Sequence, residues 1–127
     1  MKFVLFFILF LSGNTMAGYQ MYIAKGDYWE DGTPRISLEE WKNLCESDPE
    51  LRLETELKAI NPATGEEITI SGEAMCFWKD PVSGEEYLFE YRDGQITFSH
   101  EELVMSKAKE IARKLGSLIQ GEEGEKY

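Results

Sequence analysis

The clearest alternation of apolar and polar residues lies between Ala74 and Phe98. Within it, the dipeptide Asp93-Gly94 is the type that best accepts the positive φ angles of a two-residue type I′ turn. The dipeptide therefore predicts a β-hairpin. Side chains along a strand alternate between the two faces of a sheet. The hairpin register then puts two apolar pairs on one face: Tyr91 with Ile96, and Phe89 with Phe98.

A second turn signal, Asp80 to Gly84, precedes that hairpin. A five-residue loop at this point places Phe77 opposite Tyr87, whereas a four-residue loop would place Phe77 opposite Glu86. The five-residue loop fits the apolar pattern better. The predicted core face then carries Met75, Phe77, Tyr87, Phe89, Tyr91, Ile96 and Phe98. The predicted opposite face carries Cys76, Trp78, Glu86, Leu88, Glu90 and Thr97.

Two helices are predicted from serine–glutamate capping boxes. The first box, Ser37 with Glu40, begins a helix that Ser47-Asp48-Pro49 ends. The second box, Ser99 with Glu102, begins a helix of about five turns that Gly121 caps. Its apolar stripe is Val104, Ala108, Ile111, Leu115 and Leu118. The remaining segment, residues 121–127, is predicted to be a mobile acidic tail.

The order of these elements predicts an α+β domain. Further strands are expected at Tyr19–Ala24, Leu51–Ile60 and Glu67–Ile70, and Ser71-Gly72 is expected to interrupt the chain before the central stretch. We expect an antiparallel sheet of about five to six strands with two helices packed on one face. Residues 18–127 are predicted to form this single domain, with a short acidic C-terminal tail.

The first 17 residues have the pattern of a signal peptide. Lys2 precedes nine apolar residues, and small residues stand at the −3 and −1 positions before Gly18. The apolar run is shorter than the roughly 20 residues that a membrane-spanning helix needs. We therefore expect a periplasmic or secreted protein with no stable membrane span after cleavage. The alternative is translation from Met21, which would give a cytoplasmic protein.

The strong negative charge limits the classes of partner. The formal net charge is −11 at pH 7, which disfavours binding to nucleic acid and to anionic membranes. The charge is compatible with a basic protein partner, and also with a role in solubility alone. The charge does not predict an oligomeric state.

Candidate catalytic and metal chemistry is sparse. His100 is the only histidine of the chain, and no nucleophile motif accompanies it. We expect it to be structural or to lie in the capping region. The acidic stretch Asp27–Gly32 resembles a calcium loop but lacks the ligand spacing of one. We predict no catalytic residues, no metal site and no cofactor.

The two cysteines bear on the compartment. An oxidising compartment favours a disulfide between two cysteines. In the predicted register, however, Cys76 faces away from the core face that the first helix covers, and Cys45 lies on that helix. Cys45 and Cys76 are therefore expected to be too far apart to pair and to be buried free thiols.

The most plausible binding residues are aromatic and acidic residues in the loop after the first strand. Tyr28 and Trp29 would be anchors of a contact surface, although Trp29 packing on the sheet edge is an equally good interpretation. Trp78 joins them because it is predicted to lie outside the core. The candidate binding residues are Asp27, Tyr28, Trp29, Glu30, Asp31 and Trp78.

Several short motifs resemble those of a family of small bacterial proteins with no established activity. They are ISLEEW, DPEL, NPATGE, YRDG and the C-terminal QGEEGEKY. The resemblance spans residues 21–127 and implies no site residue. We expect a small acidic non-catalytic binding protein, such as an immunity-type inhibitor of a protein partner. The alternatives are a small enzyme that uses carboxylates and His100, and an exported accessory protein of the cell envelope.

Overall fold

The structure is a computed structural model that describes residues 19–127. The predicted signal peptide, residues 1–17, lies outside the described residues and stays a prediction. Two α-helices, six strands and one 3-10 turn (Trp29–Asp31) make up the described chain. The helices and strands are β1 (Gln20–Ala24), α1 (Leu38–Ser47), β2 (Leu51–Ile60), β3 (Glu67–Lys79), β4 (Glu86–Arg92), β5 (Gln95–Ser99), α2 (Glu102–Lys114) and β6 (Leu118–Gln120).

All six strands join one antiparallel sheet in the order β2-β3-β4-β5-β1-β6. Both helices pack on the same face of it, which confirms the α+β class. Their buried residues and those of the sheet form one apolar cluster. Its most deeply buried members include Trp41 from α1, Ile111 from α2 and Phe89 from β4. The opposite face of the sheet is covered over β1 and β6 by the loop that follows β1.

The predicted capping box of α1 is confirmed. Ser37 Oγ accepts a hydrogen bond from the Glu40 amide at 3.1 Å, and Glu40 Oε2 accepts one from the Ser37 amide at 2.9 Å. Two of the four unpaired amides at the helix start are thereby satisfied. Glu40 also binds Lys25 Nζ at 3.1 Å, so the cap is linked to the end of β1.

The predicted β4–β5 hairpin is also confirmed. Asp93 and Gly94 have φ angles of 51° and 80°, as a type I′ turn requires. Tyr91 pairs with Ile96. The rings of Phe89 and Phe98 lie 5.2 Å apart between centroids.

The predicted register between β3 and β4 is wrong by one residue. The loop contains six residues, Asp80 to Glu85, because the Asp80 amide bonds to the Glu85 carbonyl and Asp80 Oδ2 accepts from the Ser83 amide. Cys76 therefore pairs with Phe89, and Trp78 pairs with Tyr87. Shifting a strand by one residue exchanges its two faces. Cys76 and Trp78 consequently belong to the core face, while Met75 and Phe77 point to the other face.

β3 is one continuous strand from Glu67 to Lys79, and the interruption expected at Ser71-Gly72 is wrong. The pairing with β2 instead shifts between Glu54 and Glu56. A bulge of this kind accommodates extra residues in one strand while both strands continue.

The second helix differs from its prediction at both ends. Its N-cap is Glu101, without a side-chain cap, because Ser99 is still part of β5 and pairs with Gln20. The helix ends at Lys114, and Gly116 follows with a φ angle of 60°. The Ser117 amide then bonds to the Ala112 carbonyl at 2.9 Å, as in a Schellman motif. Leu118, predicted as the end of the helical stripe, begins β6 instead.

The C-terminal segment is hydrogen-bonded to the sheet rather than extended into solvent. The Tyr127 amide donates to the Ile119 carbonyl at 3.0 Å, and the Gly121 amide donates to the Glu125 carbonyl at 2.9 Å. The sequence did not predict this pairing with the sheet. Residues 121–127 turn back beside β6 and reach the loop that follows β1.

Candidate binding surface

Trp29 is held flat against the outer face of the sheet. Its ring stacks on Tyr22 with centroids 3.8 Å apart and an angle of 5° between planes. Tyr22 points outward because its neighbours Met21 and Ile23 point into the core. Trp29 thus contributes one ring face to packing and remains half-buried.

Two glutamines satisfy the backbone of this loop. Gln120 is fully buried. Its Oε1 accepts from the Trp29 amide at 2.8 Å, and its Nε2 donates to the Gly26 carbonyl at 2.7 Å. Gln95 Nε2 donates to the Trp29 carbonyl. Because both glutamines stand on strands, the sheet positions the loop.

The C-terminal segment contacts the same loop from the other side. Trp29 Nε1 donates to the Glu122 carbonyl at 3.0 Å, and Lys126 Nζ donates to the Asp27 carbonyl. The ring of Tyr28 lies against Gly124. Two segments about 95 residues apart in the sequence therefore form one surface.

We call this the loop–tail surface. It combines carboxylates from both segments with aromatic side chains that are exposed or half-exposed. Its carboxylates are Asp27, Glu30, Asp31, Glu122, Glu123 and Glu125, and its aromatic side chains are Tyr19, Tyr28, Trp29 and Tyr127. Within residues 27–31 and 121–127, Lys126 is the one cation; Lys25 and Arg35 lie towards the two ends of the loop.

Hydrogen bonds between tyrosines and carboxylates organise the charge. Tyr19 Oη donates to Glu125 Oε2 at 2.6 Å. This bond raises the pKa of Tyr19 and lowers the pKa of Glu125. Tyr28 Oη donates to Glu30 Oε1 at 2.9 Å; this bond, followed by burial and the neighbouring carboxylates, raises the pKa of Tyr28. Both tyrosines remain neutral donors at physiological pH, and the surface is strongly negative.

The structure places five of the six sequence-predicted binding residues on this surface: Asp27, Tyr28, Trp29, Glu30 and Asp31. The sixth, Trp78, is not on it. Trp78 is buried in the core against Tyr87, with ring centroids 5.8 Å apart. Its Nε1 donates to Glu50 Oε1 at 3.2 Å. The predicted position of Trp78 outside the core is wrong, because the β3–β4 loop is one residue longer than expected.

The contribution of the C-terminal segment to this surface was not predicted from the sequence. A signal for it exists in Lys114-Leu115-Gly116, since a basic residue followed by glycine is typical of a helix C-terminus. Ending the helix there leaves Leu118-Ile119-Gln120 free to form a strand. The polar residues that follow must then lie beside the sheet.

His100 lies on the surface beside this region. Its ring is exposed and stands 6.3 Å from Tyr19 and 6.2 Å from Tyr127 between centroids. A small cavity of about 120 Å³ lies nearby, lined by Gln20, Tyr87, Leu88, Glu90, Thr97, Phe98, Ser99 and Val104. His100 is not among the lining residues.

Within the described part of the chain, no group of three histidine, cysteine, aspartate or glutamate side chains is arranged to hold a metal ion. None of the helices described for residues 19–127 is long and apolar enough to cross a membrane.

Comparison of the chain with protein-family models, with curated proteins and with solved structures found no match. The loop–tail surface is therefore the feature of this chain that indicates a function.

Proposed function

We propose that the protein is a small acidic, non-catalytic binding protein that recognises a basic protein partner through the loop–tail surface. The observation that carries the proposal is the clustering of six carboxylates around Tyr28 and Trp29. The backbone contacts of Gln120 and Gln95 hold this cluster in place. An immunity-type inhibitor, which masks a basic toxin or enzyme, is the binding role that this chemistry fits best.

The geometry of the surface supports tight recognition. Aromatic side chains are common anchors of protein interfaces, because they bury a large area at a small entropic cost. Tyr28 and Trp29 are already fixed by Glu30 and Tyr22. Less conformational freedom is then lost on binding, which favours affinity.

The charge of the surface defines the chemistry of the partner. Carboxylates around an aromatic centre complement a lysine- and arginine-rich face, and they accelerate association by electrostatic steering. The same charge disfavours a nucleic-acid partner, whose phosphates would be repelled.

Export is part of the proposal. The signal-peptide pattern of residues 1–17 supports cleavage before Gly18 and a periplasmic or secreted protein. N-terminal mass spectrometry of the protein purified from its host tests this directly. A mature N-terminus at Gly18 is expected, and one at Met21 would contradict export.

The binding proposal is tested with two variants that each remove three negative charges. The test variant is Glu30→Gln, Asp31→Asn and Glu123→Gln on the loop–tail surface. The control is Glu56→Gln, Glu66→Gln and Glu67→Gln, which are exposed residues on the distal β2–β3 arm. Both variants and the unaltered chain are used to capture proteins from host extract at low salt, and the affinity for any captured protein is then measured by calorimetry.

A basic protein captured by the unaltered chain should be lost with the test variant and kept by the control. We expect the dissociation constant to rise about tenfold or more in the test variant and less than about twofold in the control, because only the first removes charges that face the partner. Equal weakening in both variants would indicate a general charge effect and contradict the proposed surface. Failure to capture any protein at stoichiometric amounts would also contradict the proposal.

A further inference from the structure

Cys45 lies on the core side of α1, one helical turn after Trp41. Cys45 is only 1% exposed to solvent. The position of this helix over the sheet is fixed by Trp41 Nε1, which donates to the Ala74 carbonyl at 3.4 Å. The inner face of α1 therefore lies over β3.

Cys76 lies on β3, two residues after Ala74, and is fully buried. It points to the same core face, between its strand partners Leu53 and Phe89. A helix advances roughly 6 Å in four residues, and a strand advances roughly 7 Å in two. From the Trp41–Ala74 contact, α1 reaches Cys45 and β3 reaches Cys76 over nearly the same length, and both cysteines lie in the same buried apolar cluster.

The two thiols consequently lie in the same apolar cluster of the core, and the proximity of Cys76 raises the pKa of the Cys45 thiol. Neither is part of a disulfide, and both are buried. The sequence expectation that Cys76 faces away from the core face covered by α1 is wrong, because the β3–β4 register is shifted by one residue. Both cysteines are free thiols, as the sequence predicted, but they lie on the same side of the sheet.

We propose that Cys45 and Cys76 form a disulfide when the chain folds under oxidising conditions, and that they stay a buried dithiol when it folds under reducing ones. The bond would join α1 to β3 across the core and close a loop of about 30 residues, which in general stabilises the folded state. The inference is independent of the proposed binding role. The protein would then contain this disulfide in an oxidising compartment and lack it in a reducing one.

The reaction is thiol–disulfide exchange with a low-molecular-weight disulfide such as oxidised glutathione. One cysteine, as its thiolate, attacks a sulfur of the oxidant; a mixed disulfide forms and one glutathione thiolate leaves. The second cysteine then attacks the mixed disulfide and displaces the other glutathione. The protein loses two electrons and two protons, and the oxidant is reduced to two thiols.

Folding should control when this exchange occurs. In the folded protein the interaction with Cys76, followed by burial, raises the pKa of the Cys45 thiol. The reactive species is the thiolate, and solvent does not reach either sulfur. Exchange is therefore expected while the chain is still open, with the folded dithiol protected.

The test compares one protein oxidised before and after folding. The full chain is denatured and reduced, then refolded in glutathione buffer of oxidising composition; a second sample is refolded under reducing conditions and given the same oxidant afterwards. Free thiols are alkylated, and intact mass and peptide mapping identify the products. We expect a Cys45–Cys76 cross-linked peptide in the first sample and exchange at least about tenfold slower in the second.

The thermal midpoint provides a second readout that needs no variant. The oxidised form should melt about 10 °C or more above the reduced form of the same chain. Cys45→Ser and Cys76→Ser should each abolish the cross-linked peptide. Recovery of only glutathione adducts or intermolecular dimers from oxidative refolding would overturn the proposal, as would an oxidised form that melts below the reduced one.

Discussion

Lys107 of α2 donates to Asp48 at the end of α1 over 2.7 Å, and both side chains are almost entirely buried. Lys107 Nζ also binds Glu50 Oε1 at 2.8 Å. Asp48 is further fixed, because its Oδ1 accepts from the Glu50 amide at 2.9 Å. The lysine therefore links the second helix to the connection between α1 and β2, at the rim of the core.

Replacing Lys107 alone should be strongly destabilising. Lys107→Met leaves the Asp48 carboxylate buried without its cation, and breaking such a pair lowers the free energy of unfolding by about 3 kcal/mol or more. Adding Asp48→Asn removes the uncompensated charge while keeping an oxygen for the Glu50 amide, and should restore part of the loss. Urea denaturation measures both. A double variant no more stable than Lys107→Met would show that the unpaired charge is not the cause.

The pair should also make stability depend on pH. Burial raises the pKa of Asp48, but hydrogen bonds from Lys107 and from the Glu50 amide outweigh it and lower the pKa below its usual value. Burial lowers the pKa of Lys107, but its bonds to Asp48 and Glu50 outweigh that effect and raise it.

The direction in which stability changes with pH follows from these two pKa shifts. A lowered carboxyl pKa gives stability that is present above the unfolded value of about 3.9 and is lost as pH falls through the folded pKa. A raised lysine pKa gives stability that is present below about 10.4 and is lost as pH rises through the folded pKa. The difference in unfolding free energy between the unaltered chain and Lys107→Met should therefore be largest near neutral pH and should shrink towards pH 2. A constant difference from pH 2 to pH 7 would exclude this ion pair as its source.

Gln120 offers a test of how the sheet positions the loop–tail surface. Gln120→Glu retains an oxygen for the Trp29 amide but brings a buried carboxylate against the Gly26 carbonyl, where the amide nitrogen had donated. We expect Gln120→Glu to lower the free energy of unfolding by about 2 kcal/mol or more at pH 7, as urea denaturation would measure. The loss should decrease at low pH, because a protonated carboxyl can donate to that carbonyl again. Gln120→Leu removes both hydrogen bonds and has no titrating group. Its difference in unfolding free energy from the unaltered chain should therefore change little with pH.

Of the two serines in the predicted capping boxes, Ser37 caps its helix and Ser99 does not. Ser37→Ala should reduce stability by about 1 kcal/mol, because it removes the acceptor for the Glu40 amide. Ser99→Ala should change it by less than about 0.5 kcal/mol, since Ser99 is an exposed residue of β5 that does not cap α2. Thermal unfolding of the two variants in parallel measures both. Equal losses would indicate that Ser99 caps the helix in solution.

Local patterns predicted the elements whose determinants are close in the sequence. The Asp93-Gly94 turn and the Ser37 capping box each depend on contacts within about four residues. The β3–β4 loop depends on the same kind of contact, but the Asp80 side chain can close loops of different length, so apolar parity alone selected the wrong one. That single error displaced Trp78 and Cys76 to the wrong face.

Long-range contacts could not be predicted from these patterns. Leu118 fits a helical stripe as well as a strand, and its pairing with Ala24 of β1 decides between them. The loop–tail surface depends on this pairing, because β6 carries both Gln120 and the acidic segment to Trp29. The sequence therefore predicted the loop half of the surface and missed the tail half.

The turn at Gly94 joins a local requirement to a tertiary one. Gly94 has a φ angle of 80°, and a Cβ atom there would lie 2.7 Å from Arg35 Cβ. Its carbonyl accepts from the Ile36 amide at 2.8 Å, so the turn supports the chain entering α1. Gly94→Ala combines a strained backbone with a steric clash, and we expect a loss of about 2 kcal/mol. Asp93→Gly, at the adjacent positive φ, should change stability by less than about 0.5 kcal/mol, because glycine accepts that conformation. Urea denaturation of both variants measures the contrast, and a Gly94→Ala protein as stable as Asp93→Gly would mean that the turn differs from the type I′ geometry.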